Sequence, residues 1–67
     1  MATMSIQTIE TRVTKDDNEI QAQSRQLANR SEDLSSHARV GYALTHTATI
    51  DGTEYVTFVD TLTRVND

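Results

Sequence analysis

The sequence predicts an α+β chain: a long helix that forms a parallel, trimeric coiled coil, followed by a C-terminal β-hairpin. An aliphatic residue recurs at every seventh position from Ile6 to Leu34. No Gly or Pro interrupts the first 40 residues, whereas Thr and other β-branched residues dominate afterwards. The dipeptide Asp51-Gly52 is a strong signal for a hairpin turn. The predicted units are therefore a coiled-coil helix over residues 1–40 and a hairpin cap over residues 41–67.

The first predicted element is a helix over about residues 5–38. Thr3 or Ser5 is suited to cap its start, and Gly41 is suited to end it. Such a helix is roughly 50 Å long, which fits a rod better than a compact chain of this size. Its weakest part is residues 8–14, where Thr and Val lower helix propensity, and residues 5–9 could form a strand instead.

The aliphatic repeat defines a heptad in which hydrophobic and polar layers alternate. Identical parallel helices can bury such layers because each polar side chain then meets copies of itself, whereas one small monomer cannot. Polar groups at repeated core positions fit a wider, three-stranded axis that holds water or ions. Position a holds Ile6, Val13, Ile20, Leu27 and Leu34, and position d holds Ile9, Asp16, Gln23, Arg30 and His37. The d residues Gln23, Arg30 and His37 are predicted to fix the register between helices.

The second predicted element is a hairpin of two strands around Asp51-Gly52. A two-residue turn there places His46 opposite Thr57. An isolated hairpin is marginal in water, so this one is expected to pack against copies of itself or against the helix end. The side chains predicted to form that cap contact are Tyr42, Leu44, Tyr55, Phe58 and Val59.

Composition and charge exclude several classes of protein. The absence of Cys rules out disulfides and thiolate metal sites. The net charge is −4 and no basic face is present, which disfavours binding to nucleic acid and to anionic membranes. We find no signal peptide and no apolar run of membrane-spanning length, so the expected location is a virion or the cytoplasm.

Candidate catalytic and metal-binding residues are few. His37 and His46 lie nine positions apart, without a nucleophile motif or a carboxylate at an informative spacing. Acidic pairs such as Asp16-Asp17 point to different faces of a helix. We therefore expect no catalytic residue, no cofactor and no metal ligand, and the chain is not expected to be an enzyme.

Two short segments resemble trimeric fibre proteins of bacteriophages. The run from Arg12 to Ile20 is similar to the heptads of phage fibres and tail needles. Gly41-Tyr42 and the segment 51–56 resemble the helix end and the hairpin cap of fibritin, a phage whisker protein, although this chain lacks the prolines and tryptophan of that cap. The resemblance implies a homotrimer in a virion appendage, whose hairpins fix the register or dock another virion protein.

The leading interpretation is thus a structural protein, a homotrimeric stalk or connector. One alternative is a compact β-α-β-β subunit, similar to dodecins in element order, that assembles into a shell and holds a planar ligand between aromatic residues. Dodecins normally use Trp for this stacking, and the chain has none. A further alternative is a regulatory helix that completes a partner's helical bundle.

Overall fold

A computed structural model describes residues 3–66 of the chain. One strand precedes the helical segment and two strands follow it. The elements are β1 (Thr3–Thr14), a 3-10 turn (Asp17–Glu19), α1 (Ile20–Arg39), β2 (Ala43–Asp51) and β3 (Tyr55–Asn66). The central strand β3 pairs antiparallel with both neighbours, so the sheet order is β1-β3-β2.

The predicted start of the long helix is wrong, because residues 3–14 form strand β1. Most of this segment is Thr, Ile or Val, and β-branched side chains pack well on a pleated surface while losing rotamer freedom in a helix. A spacing of seven is odd, so two heptad positions in a strand point to opposite faces. Ile6 is accordingly 64% exposed, whereas Val13 is 3% exposed.

The predicted coiled coil is also wrong. The helix has 20 residues and packs on the chain's own sheet, so strands precede and follow it. The polar d residues Gln23 and Arg30 face that sheet and are half-buried, while the aliphatic a residues Ile20 and Leu27 are exposed. The element order is strand, helix, strand, strand, which is the order of the β-α-β-β alternative.

Both ends of the helical segment have identifiable caps. At the C-terminal end Gly41 has a φ of 93°. The Tyr42 amide donates to the carbonyl of His37 (3.1 Å), and the Gly41 amide donates to the carbonyl of Ala38 (3.1 Å). This is a Schellman motif, so the prediction that Gly41 ends the helix is confirmed. At the other end the cap is Asp16, which accepts from a backbone amide two residues later, rather than Thr3 or Ser5.

The hairpin between β2 and β3 forms, but its register differs from the prediction. Asp51 pairs with Val56, and the Gly52 amide donates to the Tyr55 carbonyl (2.9 Å), so the turn lies two residues later than predicted. A Cβ atom on Gly52 would meet that carbonyl oxygen at 2.9 Å. Glycine is favoured here because the backbone of Tyr55 leaves no room for a side chain. As a consequence, His46 lies opposite Thr61 rather than Thr57.

The hydrophobic core of the single chain is small. Within residues 3–66, the only buried apolar side chains are Val13 and Leu62. The radius of gyration is 14.0 Å, whereas a compact chain of this length has about 11 Å. The molecule measures 51 × 21 × 10 Å along its principal axes. One chain is therefore a thin, elongated layer with little interior.

Candidate assembly surface

A buried ion pair holds the helix on the sheet. Arg30 of α1 donates from Nε and Nη2 to the two carboxylate oxygens of Asp60 on β3, both at 2.8 Å. The Asp60 side chain is 0% exposed, and its Oδ1 also accepts from the Thr47 hydroxyl of β2 at 2.8 Å. The guanidinium carbon of Arg30 lies 4.7 Å from the centroid of the Phe58 ring. The Asp60 carboxylate thus links α1 to β2, because it accepts from Arg30 of the helix and from Thr47 of the neighbouring strand.

The electrostatics of this cluster favour the charged forms of both residues. The hydrogen bonds from Arg30 lower the pKa of Asp60 even though burial acts in the opposite direction, and the Thr47 hydroxyl adds to the lowering. The hydrogen bonds to Asp60 likewise raise the pKa of Arg30. Both carboxylate oxygens are occupied by partners within the chain. We conclude that the cluster positions the helix, because its carboxylate has no free oxygen for a substrate.

Two glutamines of α1 bind the end of β1. The Thr14 amide donates to Gln26 Oε1 (2.9 Å), and Gln23 Nε2 donates to the Thr14 carbonyl (3.1 Å). The Thr14 hydroxyl donates to Glu19 Oε2 at 3.3 Å. The backbone of β1 is therefore already paired at this end.

A second polar cluster lies at the opposite end of the helix. The Arg64 guanidinium carbon lies 4.8 Å from the Tyr42 ring centroid, and Nη1 donates to the Val40 carbonyl (3.1 Å). The His37 ring meets Tyr42 edge-on, with centroids 5.6 Å apart. Arg64 Nε also donates to Asn66 Oδ1 at 2.9 Å. Tyr42 is held in place by a cation on its face and an imidazole at its edge.

The side of the sheet away from α1 is uncovered, and we call it the outer face. Residues paired across the strands share a face, and Asp60 and Leu62 mark the side that faces the helix. The outer face consists of Met4, Ile6, Thr8, Glu10 and Arg12 of β1, Ala43, His46, Ala48 and Ile50 of β2, and Tyr55, Thr57, Val59, Thr61, Thr63 and Val65 of β3.

The outer face is predominantly apolar or uncharged. Among the described residues, nine large hydrophobic side chains are exposed, and five of them lie on this face: Met4, Ile6, Ile50, Tyr55 and Val65. Ile6, Ile50 and Val65 are each more than 60% exposed. The face carries two charged residues of opposite sign, Glu10 and Arg12. Large exposed apolar side chains that share one uncovered face make this face a candidate interaction surface.

The residues predicted to form one oligomer interface are distributed over several surfaces. Three lie on the outer face: Ile6, Tyr55 and Val59. Ile20 and Leu27 lie on the exposed side of the helix. The remainder lie on the helix-facing side of the sheet, on the half-buried side of the helix, or at its end: Ile9, Val13, Leu44, Phe58, Gln23, Arg30, Leu34, His37 and Tyr42.

The sequence reasoning missed the residues that matter most in this arrangement. It did not single out Asp60, which binds Arg30, or Thr47, which donates to Asp60. It also missed the exposed residues Met4, Ile50 and Val65. A signal for Asp60 was present, because a lone carboxylate between Phe58 and Leu62 on one face of a strand requires a partner when buried. The predicted polar layer containing Arg30 offered that partner.

The remaining observations concern membranes, metals and known proteins. In the described part of the chain, no helix has both the length and the hydrophobicity needed to cross a membrane. Among residues 3–66, no group of three or more His, Asp or Glu side chains is arranged to hold a metal ion. Comparison with protein-family models, curated proteins and solved structures gives no significant match to this chain.

Proposed function

We propose that this chain is a structural, self-assembling subunit whose copies cover one another's outer faces in a homo-oligomer. The observation that carries the proposal is the contrast between a core of two apolar side chains and an outer face that carries five exposed large ones. Chains of this size are marginal even with a well-filled core, and oligomerisation is a common remedy. The proposed role is non-enzymatic.

The charges on the outer face suit contact with a second copy. In an interface with two-fold symmetry, a residue i meets a residue j and j in turn meets i. Glu10 and Arg12 lie two positions apart on the same face of β1, so a two-fold axis between them brings opposite charges together twice. Two charges of the same sign there would oppose self-association, whereas the two charges of this strand have opposite signs.

The assembly can be closed or open. Isologous contacts close into compact oligomers, whereas heterologous contacts that do not close generate filaments. A filament would suit the appendage role that the fibre resemblance implies, and a closed shell would suit the β-α-β-β alternative. The coiled coil that favoured three copies is overturned, so the number of copies has to be measured.

Sedimentation equilibrium combined with small-angle X-ray scattering tests the proposal. We expect a mass that is an integral multiple of the 7.5 kDa subunit. Scattering then separates a hollow shell from a rod. A folded, monodisperse 7.5 kDa particle would overturn the proposal.

A second candidate function is the binding of a small planar ligand beside Tyr42. The element order matches the alternative of a ligand-binding shell, and the Tyr42 ring is already fixed by Arg64 and His37. An aromatic platform held in one orientation loses little entropy on stacking. Quenching of acridine fluorescence tests this: Tyr42→Ala should abolish binding and Tyr42→Phe should retain it. Equal binding by the wild type and Tyr42→Ala would remove the candidate.

A further inference from the structure

Strand β2 is an edge strand with an open side. It pairs with β3 on one side only, and all nine of its residues are exposed. From Ala43 to Ile50 it contains no Lys, Arg, Asp, Glu, Pro or Gly. Protected edges usually carry charges or prolines, or are covered by another element. β2 has one irregularity, a bulge between Leu44 and His46, so the rest of its edge is available for pairing.

The other edge of the sheet is less suitable. Strand β1 contains two charged residues, Glu10 and Arg12. At its C-terminal end, the amide and carbonyl of Thr14 are bound by Gln26 and Gln23. The helix also lies mainly over β1, which leaves the β2 edge free of bulky cover. β2 is therefore the edge at which a second sheet can join.

We propose that β2 pairs antiparallel with β2 of a second copy of this chain, across a two-fold axis that passes through Ala48. The contact would join two three-stranded sheets into one sheet of six strands, in the order β1-β3-β2-β2-β3-β1. The inference rests on the proposed function, since it names one of the contacts through which copies assemble. It also extends the outer face continuously across both copies.

The position of the axis follows from the alternation of side chains. A two-fold axis perpendicular to the sheet keeps both outer faces on one side, so directly opposite residues must share a face. With Ala48 opposite itself, the outer-face residues His46 and Ile50 oppose each other, and Thr47 opposes Thr49 on the helix-facing side. The smallest side chain of the strand then lies on the axis.

Neighbouring positions for the axis are less favourable. An axis at Thr47 would carry the pairing through the bulge to Ala43, opposite Asp51, whereas with the axis at Ala48 the pairing ends at Thr45. An axis at Thr49 would place Asp51 opposite Thr47, whose hydroxyl already binds the buried Asp60 carboxylate, so two negative charges would approach.

The charge of the strand permits the contact. Asp51 is the one charged residue in β2, and it forms an ion pair with Lys15 of the same chain. In the proposed register Asp51 faces Thr45 of the second copy rather than another carboxylate. The edge thus adds no direct repulsion between chains that each carry a net charge of −4.

A single cysteine tests the register, because the chain contains none. Directly opposite residues of an antiparallel pair have Cα atoms about 4.5–5.5 Å apart, within the range a disulfide spans. We expect Ala48→Cys to form a disulfide-linked dimer under mild oxidation, reversible by reductant. The matched control is Thr49→Cys, whose own copies lie about 8 Å apart in this register and are too distant to link.

Amide hydrogen exchange on the wild-type protein provides a second readout that needs no substitution. In an open edge strand, only the amides that bond to β3 are protected, so protection alternates along the strand. We expect protection at consecutive amides of β2 from His46 to Asp51. The amides that point away from β3 would donate hydrogen bonds to carbonyl groups of the second copy. Alternating protection in an assembled protein would overturn the edge contact.

The outcomes separate this inference from the proposal on which it rests. A monomeric wild type would overturn both. An assembled wild type in which Ala48→Cys fails to cross-link, or cross-links no faster than Thr49→Cys, would overturn the β2 pairing alone. The mass of reduced Ala48→Cys, which should equal that of the wild type, shows that the substitution leaves the assembly intact.

Discussion

The two faces of the sheet differ in whether the chain covers them. The helix-facing side is fixed by polar contacts: a bidentate ion pair between Arg30 and Asp60, with the Thr47 hydroxyl on the same carboxylate. The outer face has no cover, and its exposed side chains include Ile6 and Ile50. The side that is closed within the chain is thus held by directional polar contacts around a small apolar core, and the side left open exposes large apolar side chains.

Under the proposed function, this contrast divides stability between the subunit and the contacts among its copies. Directional hydrogen bonds set the position of the helix, because each Asp60 oxygen has a defined donor. In the proposed assembly, burial of apolar area, which is the main source of folding free energy, occurs largely in contacts between chains.

The largest effect is expected from Arg30→Met. This substitution leaves the Asp60 carboxylate buried without its cation, and breaking a buried pair in this way costs about 3–5 kcal/mol. Urea denaturation at fixed protein concentration measures the loss. The control is Arg25→Met on the exposed side of α1, which should change the unfolding free energy by less than about 0.5 kcal/mol. Equal effects of the two substitutions would show that the ion pair does not hold the helix.

The outer face is tested by Val59→Lys at the centre of β3. Val59 shares this face with Ile6 and Ile50. If copies cover this face as proposed, loss of the valine's burial removes about 1.5–3 kcal/mol of association free energy. That corresponds to roughly a tenfold to hundredfold weaker assembly by sedimentation. Gln7→Lys adds the same charge on the helix-facing side of β1 and should retain the wild-type mass. Dissociation by Gln7→Lys but not by Val59→Lys would place the interface on the helix-facing side and contradict the proposal.

A smaller loss of stability is expected from Gly41→Ala. The φ of 93° lies in the left-handed region, which costs a residue with a Cβ atom about 1–2 kcal/mol. The added Cβ would also approach Cδ of Arg64 at 3.2 Å. Thermal unfolding should detect the change, and Ser36→Ala within α1 is the control, with a neutral or slightly stabilising effect. An unchanged midpoint of thermal unfolding for Gly41→Ala would contradict the left-handed conformation of Gly41 at the helix end.

The last prediction concerns Asp60 and the pH dependence of stability in acid, rather than its value near neutral pH. The pKa of Asp60 is lowered in the folded state by the hydrogen bonds from Arg30, so its contribution is complete above the unfolded value. Stability should therefore decline as the pH falls below about 4, towards the lower folded pKa. Asp60→Asn should flatten this part of the profile, whereas Glu32→Gln, an exposed helix residue, should not. Parallel profiles for Asp60→Asn and the wild type would contradict the linkage.

The sequence carried enough information for some elements and not for others. Gly41 as the helix end and a hairpin in the second half follow from local chemistry, namely positive φ at glycine and alternation of β-branched residues. The heptad misled because its first two members, Ile6 and Val13, match the repeat by spacing alone. The β-branched residues around them favour a strand, in which that spacing puts them on opposite faces.

The candidate surface depends on pairing between distant segments, which local patterns do not determine. The outer face forms only when β3 lies between β1 and β2. Which residues of β2 lie on it also depends on the bulge after Leu44, which shifts the pairing of β2 with β3 by one residue. Polar residues at Gln23 and Arg30 were interpreted as facing copies of themselves. Their partners are instead Thr14 and Asp60 of the same chain, and this long-range match could not be read from spacing.

The dependence of the urea midpoint on protein concentration tests the central claim most directly. If the outer faces are buried between copies, unfolding is coupled to dissociation, and we predict a midpoint that rises steadily as the protein concentration increases. A cooperative transition with the same midpoint at every concentration would mean that a single chain is stable alone, and it would contradict the claim.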